Sequence, residues 1–115
     1  MHELSLADEI VRIVEAAAQR DHFTRVATLK VECGSLAGVE VAALRFALDA
    51  IVGGTCLDGA VIDFDEPAGR AWCKDCAAEV LIYSRADACP VCSGSPLKVL
   101  SGGALRVVDL VVVDD

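Results

Sequence analysis

Two groups of side chains in this chain could do chemistry. The first is four cysteines in two tight pairs, Cys73-x-x-Cys76 and Cys89-x-x-Cys92. Each pair can form a turn that aims two sulfurs at one point, and two such knuckles supply a tetrahedral four-thiolate site. Zn(II), which has no geometric preference from d-electrons, suits that site, and four thiolates also suit iron of the rubredoxin type. A redox dithiol needs only one such pair at a helix start. Pro90 stiffens the second knuckle. All four positions would be filled by protein, so the expected role is structural. A segment of about 30 residues is too short to hold a core without such a cross-link.

The second group is the amino terminus, Met1-His2-Glu3. The Met1 α-amine, the His2 amide nitrogen and the His2 imidazole Nδ1 can close fused chelate rings on one ion. Nitrogen donors in a plane suit Ni(II) or Cu(II). A fourth position then stays open for Glu3, another carboxylate or a partner protein, as a carrier that must release its ion requires. His22, the only other histidine, lies past the first helix and is expected to be an exposed helix-end residue. Cys33 and Cys56 are unpaired in sequence and are expected to be small buried apolar residues.

The elements that must position these groups follow from periodicity. Leu6, Ile10, Ile13, Val14 and Ala17 make an apolar helical face, with Ser5 as N-cap and Asp8 completing a weak capping box. Met1, His2 and Glu3 would then precede the helix. Alternation over 26–33 places Ala27, Leu29, Val31 and Cys33 on the inner face of a strand. A second helix is expected over about 40–52 and a short strand over about 60–65. Val80–Tyr83 suits a strand between the knuckles. The apolar run 105–113 suits an inner strand that joins the earlier two. Phe46 and Trp72 are expected to be packing residues, with Trp72 covering a knuckle. The resulting fold class is α+β: two helices against a three-stranded mixed sheet, with an inserted four-cysteine zinc-ribbon domain. Residues 1–68 plus 102–115 would form one discontinuous domain and 69–101 the other.

Composition narrows the partners. The chain has 115 residues, 55% of them hydrophobic, with 10 Lys+Arg against 18 Asp+Glu and a net charge of −8. That excess repels nucleic acid and anionic lipid. Trp, Tyr and Phe total five, too few for a base-stacking platform. No apolar run approaches a membrane span of roughly 18–20 residues. The start lacks the basic and apolar regions of a secretory signal. The expectation is a cytoplasmic protein with no nucleic-acid or membrane partner. Nor is there a Ser/His/Asp set or a phosphate-cradling motif, so any GTP use must come from a partner.

The opening Met1-His2-Glu3-Leu4-Ser5-Leu6 closely resembles the start of the HypA/HybF hydrogenase nickel-incorporation proteins. The resemblance continues through Gly34-Ser35-Leu36-Ala37-Gly38-Val39-Glu40, Leu44-Arg45-Phe46-Ala47-Leu48, both cysteine pairs and Gly103-Ala104-Leu105-Arg106-Val107. It spans essentially the whole chain in the family's order. The resemblance implies a nickel metallochaperone, not an enzyme, acting in maturation of [NiFe] hydrogenase, with some relatives serving urease. It implies nickel at His2, with the Met1 amine and Glu3 nearby, and zinc at Cys73, Cys76, Cys89 and Cys92. Glu40 matches an acidic position of the family that approaches nickel, or else is a carboxylate at a helix N-terminus. The implied partners are a HypB-type GTPase and the hydrogenase large subunit, and a homodimer is left open. Ala104 departs from the pattern where an acidic residue is expected, and Lys98 stands where some relatives offer a histidine. The alternative is a zinc-ribbon adaptor that binds nucleic acid or protein without nickel transfer.

Overall fold

The computed structural model describes residues 2–113 of the chain. Its elements are α1 (His2–Asp21), β1 (Val26–Cys33), α2 (Val41–Ile51), β2 (Val61–Asp65), β3 (Gly69–Cys73), β4 (Ala78–Ile82), β5 (Lys98–Ser101) and β6 (Leu105–Val112). They form two three-stranded sheets, ordered β2-β1-β6 and β4-β3-β5. The chain divides into two compact units. One comprises Met1–Val31, Val39–Phe64 and Val107–Asp115, and the other Glu32–Gly38 and Asp65–Arg106.

In the first unit, α1 buries Ala7, Ile10, Val14 and Ala18, and α2 buries Leu44 and Leu48. These spacings of three and four residues put each set on one helical stripe. The helices pack on each other, beside the mixed sheet β2-β1-β6. Strand β1 occupies the centre of that sheet and buries Val26, Leu29 and Val31. Glu40 caps α2: its Oε1 accepts the Ala42 N–H at 3.3 Å.

Two local expectations change. Helix α1 begins at His2, not at Ser5, and Ser5 is an exposed residue inside it. No residue from His2 to Ser5 breaks a helix, and Glu3 supplies an acidic first turn that favours the positive end of the helix dipole. Strand β6 lies at the edge of its sheet, not inside it. Its Val108, Val111 and Val112 are accordingly exposed. The joining of this last strand to the earlier two is as expected.

In the second unit, β3 is the central strand and pairs antiparallel with both neighbours. Its alternation buries Gly69, Ala71 and Cys73 and turns Arg70 and Trp72 outward. Leu36, Ala71, Cys73, Val80, Ile82 and Cys89 form the core, with Cys76, Leu97 and Val99 packed against it. Gly34, Gly69 and Gly102 meet with no room for a side chain. A Cβ on Gly34 would lie 2.0 Å from the Gly102 carbonyl oxygen, and one on Gly102 would lie 2.5 Å from the Gly69 Cα. Gly102 also has φ +106, which L side chains rarely adopt. This close approach allows Gly34 N–H to donate to Ala104 O and Leu36 N–H to Gly102 O, both at 2.9 Å.

Candidate metal centres

The four cysteines are carried by two turns of the second unit. Cys73 ends β3 and Cys76 lies in the turn to β4, which closes with Ala77 at φ 50. Cys89 and Cys92 sit in the loop between β4 and β5, which reverses at Ser93 with φ 62. That loop is held by Ser93 N–H to Cys89 O at 2.8 Å and Cys89 N–H to Gly94 O at 2.9 Å. Gly94 lets the loop pass close to the site: a Cβ would stand 2.9 Å from the Asp75 carboxylate and 3.2 Å from the Cys92 sulfur, so both side chains would have to shift.

All four Sγ atoms lie within 4.8 Å of one another. Cys73 Sγ and Cys92 Sγ are 3.6 Å apart, and Cys76 Sγ and Cys89 Sγ are 3.9 Å apart. Zn–S bonds of about 2.3 Å at tetrahedral angles separate sulfurs by about 3.8 Å. The donor set therefore fits a four-thiolate zinc. Backbone N–H groups point at the sulfurs: Cys76 to Cys73, Val91 to Cys89 and Gly94 to Cys92, each at 3.4 Å. Such donors favour the charged thiolate that a metal needs. The N–H groups of Cys92 and Val91 bring the Cys89 thiol down to about 7, whereas hydrogen bonding to the Cys92 and Cys73 sulfurs pushes the Cys76 thiol up to about 12. Cys73 and Cys89 are buried, Cys76 is half-buried and Cys92 is exposed, so one edge of the site faces solvent. Among the described residues, these four form the group of His, Cys, Asp and Glu able to hold a metal.

The amino-terminal group has different geometry. Met1 lies outside the described residues, and with it the expected amine ligand. His2 is the first residue of α1 and is exposed. At that position its N–H has no carbonyl one turn earlier to receive it. Loss of that proton to a metal would break no helical hydrogen bond. Glu3 is half-buried. Its carboxyl is held below the usual range by its own backbone N–H and also by the N–H of Glu40. The Glu3 carboxyl thus lies beside the N-terminus of α2, at Glu40. His22 follows α1 with φ 58 and is exposed, the helix-end residue expected of it.

Cys33 and Cys56 are buried, as expected of small apolar residues. Burial pushes the Cys56 thiol up to about 11, helped by Glu15, whose Oε1 also accepts the Cys56 N–H at 2.8 Å. That thiol is poorly placed to act as a thiolate. Phe46 and Trp72 do not pack as expected: they are 67% and 40% exposed. Phe46 lies two residues from buried Leu44 and Leu48, on the outer side of α2, and Trp72 alternates outward from the buried positions of β3. Sequence reasoning also missed the pair between Arg106 Nε and Glu32 Oε2 at 2.8 Å, which joins residues on two different strands.

No helix among the described residues is long and apolar enough to cross a membrane. Residues 1–112 match the family model described as hydrogenase/urease nickel incorporation, metallochaperone, HypA. The chain is 52% identical over 114 residues to the hydrogenase maturation factor HypA of Cupriavidus necator, covering 99% of this chain and 96% of that one. It is 50% identical to the corresponding factor of Polaromonas naphthalenivorans over the full length of both. It also superposes on the solution structure of the Ni metallochaperone HypA from Helicobacter pylori with a TM-score of 0.69, at 17% identity and full coverage of both chains.

Proposed function

Because this chain belongs to the HypA family of hydrogenase/urease nickel-incorporation metallochaperones, we propose that it binds Ni(II) at its amino terminus and surrenders it to a partner during maturation of [NiFe] hydrogenase. A metallochaperone of this family carries a metal and is not an enzyme. The observation that carries the nickel assignment is the place of His2. It is exposed, it begins α1, and its amide proton is bonded to no preceding turn. The proposed donors are the Met1 amine, the His2 amide nitrogen and the His2 imidazole Nδ1, with Glu3 nearby.

The chemistry of the two centres divides their roles. Four thiolates complete a tetrahedron around zinc and leave no vacancy, so zinc at Cys73, Cys76, Cys89 and Cys92 holds the second unit together. Three nitrogens on Ni(II) leave a planar position open. A ligand from the receiving protein can enter that position before the chain's own donors depart, which makes transfer a ligand exchange. Residues 1–68 plus 102–115 would do the nickel work and 69–101 the zinc work. A HypB-type GTPase and the hydrogenase large subunit are the proposed partners, in the cytoplasm.

The test is a Ni(II) titration of untagged, zinc-loaded protein in native, His2→Ala and amino-terminally acetylated forms. Both altered forms are expected to lose nickel affinity while keeping zinc. Undiminished nickel uptake by the acetylated chain would overturn the assignment.

A further inference from the structure

The outer face of the β4-β3-β5 sheet is unlike an ordinary solvent face. An antiparallel sheet with one side in the core normally turns polar residues to water on the other. Here the inner side holds Ala71, Cys73, Val80 and Ile82. The outer side presents Trp72 on the central strand, 40% exposed, with Leu81 on β4 at 56% and Leu100 on β5 at 45%. The register sets Trp72 between Glu79 and Lys98, and Arg70 beside Leu81.

Charge on this face is uneven. Arg70 pairs with Glu79, diagonally across the strands. Lys98, directly opposite Trp72, is in no ion pair among the described residues. The result is a Trp between an already paired Glu79 and an unneutralised Lys98, with Leu81 and Leu100 two residues further along the neighbouring strands, on a chain whose net charge is −8. Trp and Arg are the side chains most enriched where proteins dock, because each removes much surface from water at one anchor point.

We propose that this sheet face is a docking surface for a segment of a partner protein in which an apolar side chain is bracketed by carboxylates. The apolar side chain would pack on Trp72 and reach toward Leu81 and Leu100, and a carboxylate would pair with Lys98. Nucleic acid fits less well. A single stacking aromatic and a single unpaired cation give little grip on a long phosphate chain, which is held by rows of cations and stacked bases. The surface involves no nickel donor, so it stands apart from the amino-terminal reading.

Trp72 is the only Trp in the chain, so its emission reports this face directly. Zinc-loaded full-length protein would be titrated with a Glu-Glu-Leu-Phe-Glu-Glu peptide, its Lys-Lys-Leu-Phe-Lys-Lys counterpart and oligothymidylate. The expected result is a saturable blue shift with the acidic peptide. Lys98→Glu and Leu81→Ser should each weaken it by about tenfold with zinc content unchanged, since both side chains are exposed. Lys98→Glu should also turn the preference toward the basic peptide. Four results would overturn the proposal: no saturable shift, equal binding of both peptides by the wild type, a shift produced by oligothymidylate, or a shift produced by raising protein concentration alone. The last would assign the face to a second copy of the chain.

Discussion

Replacing Gly34 by Ala should be among the most damaging single-methyl changes in this molecule. The added carbon would lie 2.0 Å from the oxygen and 2.5 Å from the carbon of the Gly102 carbonyl. Both are backbone atoms, which cannot rotate aside as a flexible side chain could. Relief requires the two segments to separate, and that stretches the Gly34 to Ala104 and Leu36 to Gly102 hydrogen bonds. Two such bonds contribute roughly 1 kcal/mol each. Overpacking against an unyielding neighbour costs roughly 1–3 kcal/mol more. The expected loss is therefore about 3–5 kcal/mol. Leu36 belongs to the core that contains Cys73 and Cys89, so the damage should reach the zinc knuckles. Urea denaturation of zinc-loaded protein, followed by far-UV circular dichroism and Trp72 emission, measures it. With a slope of about 1–3 kcal/mol/M, the midpoint should fall by at least about 1 M. Gly53→Ala is the control: a Cβ there meets no atom within 4 Å, and the change should stay within about 0.5 kcal/mol of wild type. A Gly34→Ala variant within about 1 kcal/mol of wild type would refute the steric reasoning.

Further outcomes are expected. Cys73→Ser should lower zinc stoichiometry and remove hydrogen-exchange protection from β3 and β4; full zinc retention with native protection would contradict the four-thiolate assignment. Adding one residue before Met1 should weaken nickel binding as much as His2→Ala does, whereas an undiminished affinity would show that the amine is not a donor. Amine and imidazole must shed protons to bind, so nickel affinity should fall between about pH 7.5 and about pH 6 while zinc stays bound; isothermal titration at the two values gives the answer. Hydrogen bonding from Arg106 holds the Glu32 carboxyl below the usual glutamate range, so the native chain binds that proton less readily than the unfolded one. The resulting stabilisation is complete above the ordinary glutamate value and disappears as pH falls through the lowered native value. Wild type and Arg106→Ala should therefore differ in urea midpoint near pH 7 and converge as the pH falls through the lowered native value; a constant difference would mean the pair acts other than through charge.

The parts of the fold legible in the sequence are those decided by near neighbours. The inward set Leu29, Val31 and Cys33, the helix after Glu40 and the two knuckles each follow from spacing within a single element. The start of α1 is misread from the sequence because Ser5 is a good cap residue, yet Glu3 supplies an acidic turn earlier and accepts backbone N–H groups itself. The outward positions of Phe46 and Trp72 escape a sequence reading because large aromatics are usually buried, and only strand register and helix phase reveal the exception. A Val-rich strand reads as interior, but β6 is an edge because β3, β4 and β5 form a sheet of their own. The Arg106–Glu32 pair spans 74 residues, and no local pattern announces a contact at that separation. The amino-terminal chemistry is legible as a donor set, while its nearness to Glu40 depends on how α1 and α2 pack.

The topology of the β2-β1-β6 sheet has a consequence for how the protein is made. Strand β6 joins β1 only after β3, β4, β5 and both cysteine knuckles have been added to the chain. On the ribosome, the segment with the thiolates emerges and can capture its ion while the sheet beside α1 and α2 still lacks a strand. Long-range pairings of this kind form late, since a large loop must close first. An arrested or truncated nascent chain would therefore carry a finished thiolate site and an unfinished helical half.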